Sequence, residues 1–284
     1  MNLGVREARE LLAFYRDAGV DTLLAEEAVN RMADSGVASV PDGAAATKLR
    51  DEGETLKPGS SIPIRSSPPA RREPDNISAQ PTLPPPEVAA MAAREAAASA
   101  KDLDELRSLL ENFQGCGLRA TATQLVFADG NPQARVMFVG EAPGYEEDIS
   151  GRPFVGRSGK LLDRMMEAIG LDRTKAYIAN VVPWRPPGNR TPTPQETAIC
   201  LPFIRRQIEL ANPDILVCLG QPATQTLLGT REGITKTRGR WFKFDTGKRE
   251  IRAMATLHPA YLLRQPLQKR LAWRDFLALK KALN

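Results

Sequence analysis

Three short apolar runs constrain the fold of this 284-residue chain more than any other feature: residues 135–140 (RVMFVG), 176–182 (AYIANVV) and 215–220 (ILVCLG). None alternates apolar with polar residues, so each reads as a strand buried on both faces, as in a parallel sheet covered by helices. Helical patterns separate them. Residues 159–170 carry an apolar stripe through Leu161, Leu162, Met165, Met166 and Ile169. Thr193-Pro194-Gln195-Glu196 has the N-cap, the N1 proline and the N3 acid of a helix start, and that helix is expected to run to about Ala211. A short helix is expected over 222–228, a strand pair over 241–244 and 251–256, and an amphipathic helix over 266–283. The expectation is α/β: a three-layer α/β/α sandwich with a short, mostly parallel sheet. Ligands of such sheets bind beyond the carboxyl ends of the strands. That rule selects the loops after Val139, Val182 and Thr256.

The pattern covers only residues 98–284, read as one folded domain. Residues 1–35 read as a helical hairpin, with Val5, Leu11, Leu12 and Tyr15 at helical spacing before a break at Gly19. Ten of the 23 prolines fall between Pro41 and Pro86, and residues 36–97 read as a disordered Pro-rich linker that buries too little apolar surface to offset its ordering entropy. The folded part holds 28 basic and 19 acidic residues, against 4 and 7 in the hairpin and 7 and 8 in the linker. A basic excess confined to the folded part suits a polyanionic partner, although a solvated basic face would look the same. With three cysteines, no secretory leader pattern in MNLGVREARELL and no apolar run of about 18 residues, the expectation is a cytoplasmic protein without a membrane partner. A monomer is expected.

The selected loops hold the unusual residues. Loop 140–159 (GEAPGYEEDISGRPFVGRSG) puts Glu141 directly at a strand end, followed by Glu146, Glu147 and Asp148. An oxygen-ligand magnesium site is one reading of these four acids; a pair of glycosidase-type carboxylates, Glu141 with Glu146 or Glu147, is another. A phosphate loop is a third reading, but GEAPG lacks the lysine and the spacing of one. Asn180 lies in a buried strand, where its amide must satisfy a neighbouring loop or read a ligand edge. His258, the only histidine, ends the last strand on the same rim as Glu141 and Asn180.

Taken together, GEAPG, GRPFVGRSGKLLDRM, YIAN, RPPGNRTP and HPAYLLRQP resemble the motifs of the type-4 uracil-DNA glycosylases, in order and approximate spacing, over roughly residues 110–283. The resemblance implies hydrolytic excision of uracil from DNA, leaving an abasic site. It assigns Glu141 to the attacking water and His258 to the uracil oxygen that gains charge as the base leaves. It implies that Asn180 reads the uracil edge, Phe154 stacks on the flipped base, and Glu147 occupies the space a thymine methyl needs. The backbone of Ala142 and Gly144 completes the pocket, and Arg264, Lys269 and Arg270 follow in the DNA-inserting loop. A related glycosylase for another deaminated base such as hypoxanthine, and a non-catalytic DNA- or uracil-binding relative, are the alternatives.

The chain departs from that family at one feature. The type-4 enzymes carry four cysteines that ligate a 4Fe-4S cluster. Cys116 and Cys200 match two of those positions, whereas Phe113 and Trp184 stand at the other two. Cys218, within ILVCLG, reads as a small buried hydrophobe. The expectation is no cluster and no other cofactor, with aromatic rings filling the vacated space.

Overall fold

A computed structural model describes residues 85–284. The hairpin expected over 1–35, and the linker as far as residue 84, lie outside the described residues. The end of that linker is corrected: α1 (Pro86–Ser99) fills the last part of the segment read as disordered. Proline dominated the reading of that segment, yet Pro86 is the last proline in it and PEVAAMAAREAAAS is rich in alanine, the strongest helix former. Ala89, Ala93 and Ala97, one turn apart, are buried, and the helix packs on α6 (Pro194–Ala211). Arg206 of α6 donates to the Ala100 carbonyl just past its end, at 3.1 Å.

Six strands form one sheet: β1 (Asp129–Gly130), β2 (Val136–Gly140), β3 (Ala176–Asn180), β4 (Ile215–Leu219), β5 (Trp241–Asp245) and β6 (Glu250–Thr256). Their order is β1-β3-β2-β4-β6-β5. The four central strands are parallel and the two edge strands antiparallel, as the unbroken apolar runs predict. Gly140 pairs with Asn180, and Leu219 with Thr256, so these strands end at one level and their loops share a rim.

Alternate strand residues face opposite layers. Met137, Val139, Ala179, Leu216 and Cys218 pack with α1, α2 (Leu103–Asn112), α6 and α7 (Gln221–Leu228). Val136, Phe138, Ile178, Ile215 and Val217 pack with α5 (Arg157–Glu167) and α10 (Lys269–Leu283). This is the three-layer α/β/α sandwich expected. Short helices α3 (Leu118–Thr121), α4 (Tyr145–Ser150), α8 (Ile234–Thr237) and α9 (Pro259–Arg264) fill the connections. No described helix is long and apolar enough to cross a membrane.

One local rule acts as read and two boundaries move. Thr193 Oγ1 accepts from the Glu196 N–H at 3.2 Å and Glu196 returns the bond to the Thr193 N–H at 2.7 Å, closing the capping box that starts α6. Strand β3 stops at Asn180 rather than 182, so Asn180 is its last residue and not an interior one. The closing helix starts at Lys269, because Pro266 lacks an amide hydrogen and leaves a 3-10 turn between α9 and α10.

One buried ion pair ties α10 to the strand that ends next to His258. Asp275 accepts from Thr256 Oγ1 at 2.7 Å and from Arg238 Nε at 3.0 Å, in a site where its carboxyl is 1% exposed. Burial alone pushes the Asp275 carboxyl up; Thr256 and Arg238 oppose that shift. Removing the carboxylate strands the Arg238 charge and the Thr256 hydroxyl. Asp275→Ala is expected to cost about 3 kcal/mol in urea unfolding, and Asp275→Asn, which keeps a partner for Thr256, clearly less. Equal losses from the two would show that the charge opposite Arg238, and not the bond to Thr256, carries the whole effect.

Candidate active site

The three loops selected by the strand ends meet around a cavity of about 210 Å³. Its lining includes Glu141, Ala142, Gly144, Glu147, Phe154, Asn180 and His258, which are the residues expected at the site. Arg264, Lys269 and Arg270 do not line it; they follow His258 on α9 and α10, outside the cavity. Burial, with a smaller contribution from the Arg164 charge, pushes the Lys269 ammonium below its usual value.

Two oxygens in the cavity lack partners. Glu141 Oε1 and Asn180 Oδ1 are buried without a hydrogen bond. An unmet buried acceptor costs about 1–3 kcal/mol, and such groups persist where a ligand supplies the missing donor. Burial also raises the Glu141 carboxyl above its ordinary value, and a hydrogen bond from Thr191 partly offsets this.

His258 has a defined tautomer. It is the N-cap of α9, and its Nδ1 accepts the Ala260 N–H at 3.1 Å. A neutral ring whose Nδ1 accepts must carry its proton on Nε2, which is therefore a donor. Burial lowers the imidazole pKa to about 4; the Arg264 charge adds to this, and Glu147 opposes it. The ring centroid lies 5.5 Å from that of Phe154.

Glycine makes room for these groups at two strand ends. A Cβ on Gly140 would lie 2.5 Å from Asn180 Oδ1 and 2.6 Å from the Phe154 ring. A Cβ on Gly220, whose φ is +86°, would lie 2.9 Å from His258 Cβ. Phe154 itself adopts φ +55°, a strained position for an aromatic residue. Arg173 holds it by donating to the carbonyls of Pro153 and Phe154, while Asp163 anchors the guanidinium from α5 at 2.9 Å.

The acids of this loop divide by role. Glu147 is fully engaged: Oε2 accepts the Gly144 N–H at 3.1 Å, and Oε1 accepts those of Val155 and Gly156 at 3.0 and 2.9 Å. The Gly144 amide is thereby turned onto Glu147, not offered to the cavity. Asp148 accepts from the Thr123 amide and hydroxyl at 2.9 and 2.8 Å. Two of the four acids of the magnesium reading, Glu147 and Asp148, are thus engaged by the protein's own donors, and among the described residues no group of three His, Cys, Asp or Glu is placed to hold a metal ion. Sequence reasoning missed Thr191, Ser158 and Arg173. Thr191 lies inside the RPPGNRTP motif, which was the available signal; Arg173 lies outside every motif.

The cysteine site does not fit a four-thiolate cluster. Cys116 and Cys200 are buried and hydrogen-bond each other, which holds the Cys116 thiol below its usual value and Cys200 above it. Trp184, 2% exposed, packs in the same core cluster. Phe113 lies over Gly115, with ring carbon Cζ 2.5 Å from where a Cβ would be, and packs edge-on against Phe203 with centroids 5.0 Å apart. Carbon atoms thus stand at two of the four ligand positions.

Residues 127–277 match the family model of the uracil DNA glycosylase superfamily. A type-4 uracil-DNA glycosylase of Thermotoga maritima is 48% identical over 150 residues, which are 52% of this chain and 77% of that protein. The type-4 enzymes of Archaeoglobus fulgidus and Sulfurisphaera tokodaii are each 38% identical, over 58% and 63% of this chain and 85% and 84% of their own lengths. The chain that carries Glu141, Asn180 and His258 on one rim thus belongs to the uracil DNA glycosylase superfamily and, within it, to the type-4 family.

Proposed function

We propose that this chain hydrolyses the N-glycosidic bond of uracil in DNA, as its type-4 relatives are named for doing, and leaves an abasic site. The observation that carries the reading is the pair of unsatisfied oxygens beside a neutral histidine donor. Uracil completes this set. Its N3–H is the donor that Asn180 Oδ1 lacks, and its O4 accepts from the same amide. A cytosine offers the opposite pattern at both atoms, and the buried amide would then lack matching partners.

The chemistry follows from the charges. As the C1′–N1 bond breaks, its electron pair leaves on uracil and the sugar becomes cationic. The Nε2–H of His258 donates to uracil O2 as that oxygen gains charge. A histidine neutral near pH 7 stabilises an anion by donation without having to give up its proton. Glu141 orients the water whose oxygen bonds C1′, takes its proton, and sets a negative charge near the sugar. Phe154 stacks on the base held outside the duplex, and paying for that flipped state falls to contacts along the strand. Glu147, rather than reading the substrate directly, fixes the two loops whose backbone forms the wall a thymine methyl would strike.

Arg264, Lys269 and Arg270 meet phosphates. Between them Leu267, 84% exposed on the 3-10 turn, has the exposure of an apolar wedge that fills a vacated stack. The protein acts as a monomer. It also works without the cluster of its relatives, because the proposed steps need no iron and Phe113 and Trp184 fill two ligand positions.

Gel cleavage assays on U:G, U:A, single-stranded U, T:G and hypoxanthine substrates test the function; cleavage at uracil is expected, and no product from any substrate would overturn it. His258→Ala is expected to lower turnover about 10²–10³-fold, the usual loss of one such donor, with DNA binding retained. Asn180→Asp is expected to narrow the preference for uracil over cytosine. Iron analysis of anaerobically purified protein should find no stoichiometric cluster, and four irons per chain would refute the cofactor-free reading.

A further inference from the structure

Tyr145 is 58% exposed although it directly follows Gly144, which lines the cavity. Scattered exposed aromatics are ordinary. This one differs in being braced. The Arg185 guanidinium lies over its ring, 5.0 Å from the centroid. Arg185 is itself held from two sides: Nε donates to Asn189 Oδ1 at 2.6 Å, and Nη1 lies 3.8 Å from Asp148 Oδ2. Asp148 is 2% exposed and fixed by Thr123, so the chain of contacts runs from the core to the ring. Arg185 also immediately precedes Pro186, another cavity-lining residue.

We propose that Tyr145, backed by Arg185, is a stacking shelf for the nucleobase next to the flipped uracil. The inference rests on the function proposed above and specifies a further part of the DNA site. Three observations commit the occupant to a strand of DNA. The shelf adjoins the cavity through Gly144 and Pro186, one Cα step of about 3.8 Å away in each case. Its one covered face carries a cation, which attracts the phosphates of a strand lying there. Its remaining surface is an aromatic ring continued one turn later by Ile149, 53% exposed, and a ring that accepts any base by its π-face suits a site that must take uracil in varied contexts.

Strand order sets this shelf apart from the basic wedge region. Tyr145 and Arg185 follow β2 and β3, whereas Arg264 and Leu267 follow β6, with β4 between β2 and β6. The two regions therefore flank the cavity from different sides and contact different neighbours of the excised nucleotide. Tyr145 is a positioning residue in this scheme; it touches neither the uracil nor the attacking water.

Steady-state excision on single-stranded oligonucleotides tests the shelf. Tyr145→Ala is expected to raise KM about ten-fold while changing kcat less than three-fold, and Tyr145→Phe to restore the parent KM. An abasic residue placed on one side of the uracil should raise the KM of the parent by a similar factor, and Tyr145→Ala should add nothing further on that substrate. Inhibition by free uracil should be equal in parent and Tyr145→Ala. If the parent excises uracil but its KM is unchanged by an abasic neighbour on either side, the shelf is refuted whatever the variants do. If Tyr145→Ala and an abasic neighbour raise KM multiplicatively, the base is not on this ring and the inference also fails. A parent chain that excises no uracil would instead overturn the underlying function.

Discussion

The Glu147 carboxylate is the constraint on which the site depends. Its two oxygens accept three backbone N–H groups, one from the GEAPG loop and two from the loop that carries Phe154. Hydrogen bonds to a charged acceptor are among the stronger ones, and here they join the wall of the cavity to its stacking ring. Without this clamp only Arg173 would oppose relaxation of Phe154 from its left-handed backbone, which sets the ring 5.5 Å from His258. The Arg173 guanidinium secures the same segment from the other side through two carbonyls. A cavity with unsatisfied oxygens can be kept open only by such stiffness, since a softer site would turn Glu141 and Asn180 toward partners of their own.

Much of this was legible in the sequence, for reasons particular residues make plain. Unbroken apolar runs specified the parallel centre of the sheet, and the capping box specified where α6 starts, because both are local rules. The carboxyl-end rule then puts Glu141, Asn180 and His258 on one rim from the sequence alone. What was not legible depended on distant partners. Glu147 reads as a substrate contact in a motif, but its three acceptor bonds come from residues three to nine positions away whose amide directions no motif reveals. Arg173 is invisible for the same reason, bonding carbonyls 19 and 20 residues before it. Helix α1 was missed because prolines that precede it dominated a segment whose last dozen residues are alanine-rich.

The cysteine site and the ring of Phe154 lie on opposite faces of the sheet. Phe113 and Trp184, at the positions where the resemblance implies cysteine ligands, pack with the core of this layer and stabilise it by the ordinary hydrophobic term. Residues of this cluster pack against α2 and α6 on one face of the sheet. Phe154, by contrast, packs in the core cluster on the opposite face. The chemistry proposed for His258, at the shared rim, requires that the strand ends keep their level.

That chemistry turns on an imidazole that stays neutral with its proton on Nε2. Its depressed pKa also has a consequence for folding. The unfolded chain takes up a proton near the ordinary value of 6.5 while the folded one resists until about 4, so stability is lost as pH falls through that interval. Because His258 is the only histidine, a nitrogen-15-labelled sample gives one imidazole spin system and no assignment is needed. Titrating that signal by NMR is the most direct test. The Nε2–H tautomer is expected, neutral at pH 7, with a midpoint near 4. A midpoint near 6.5, or a ring protonated on Nδ1 at neutral pH, would contradict it.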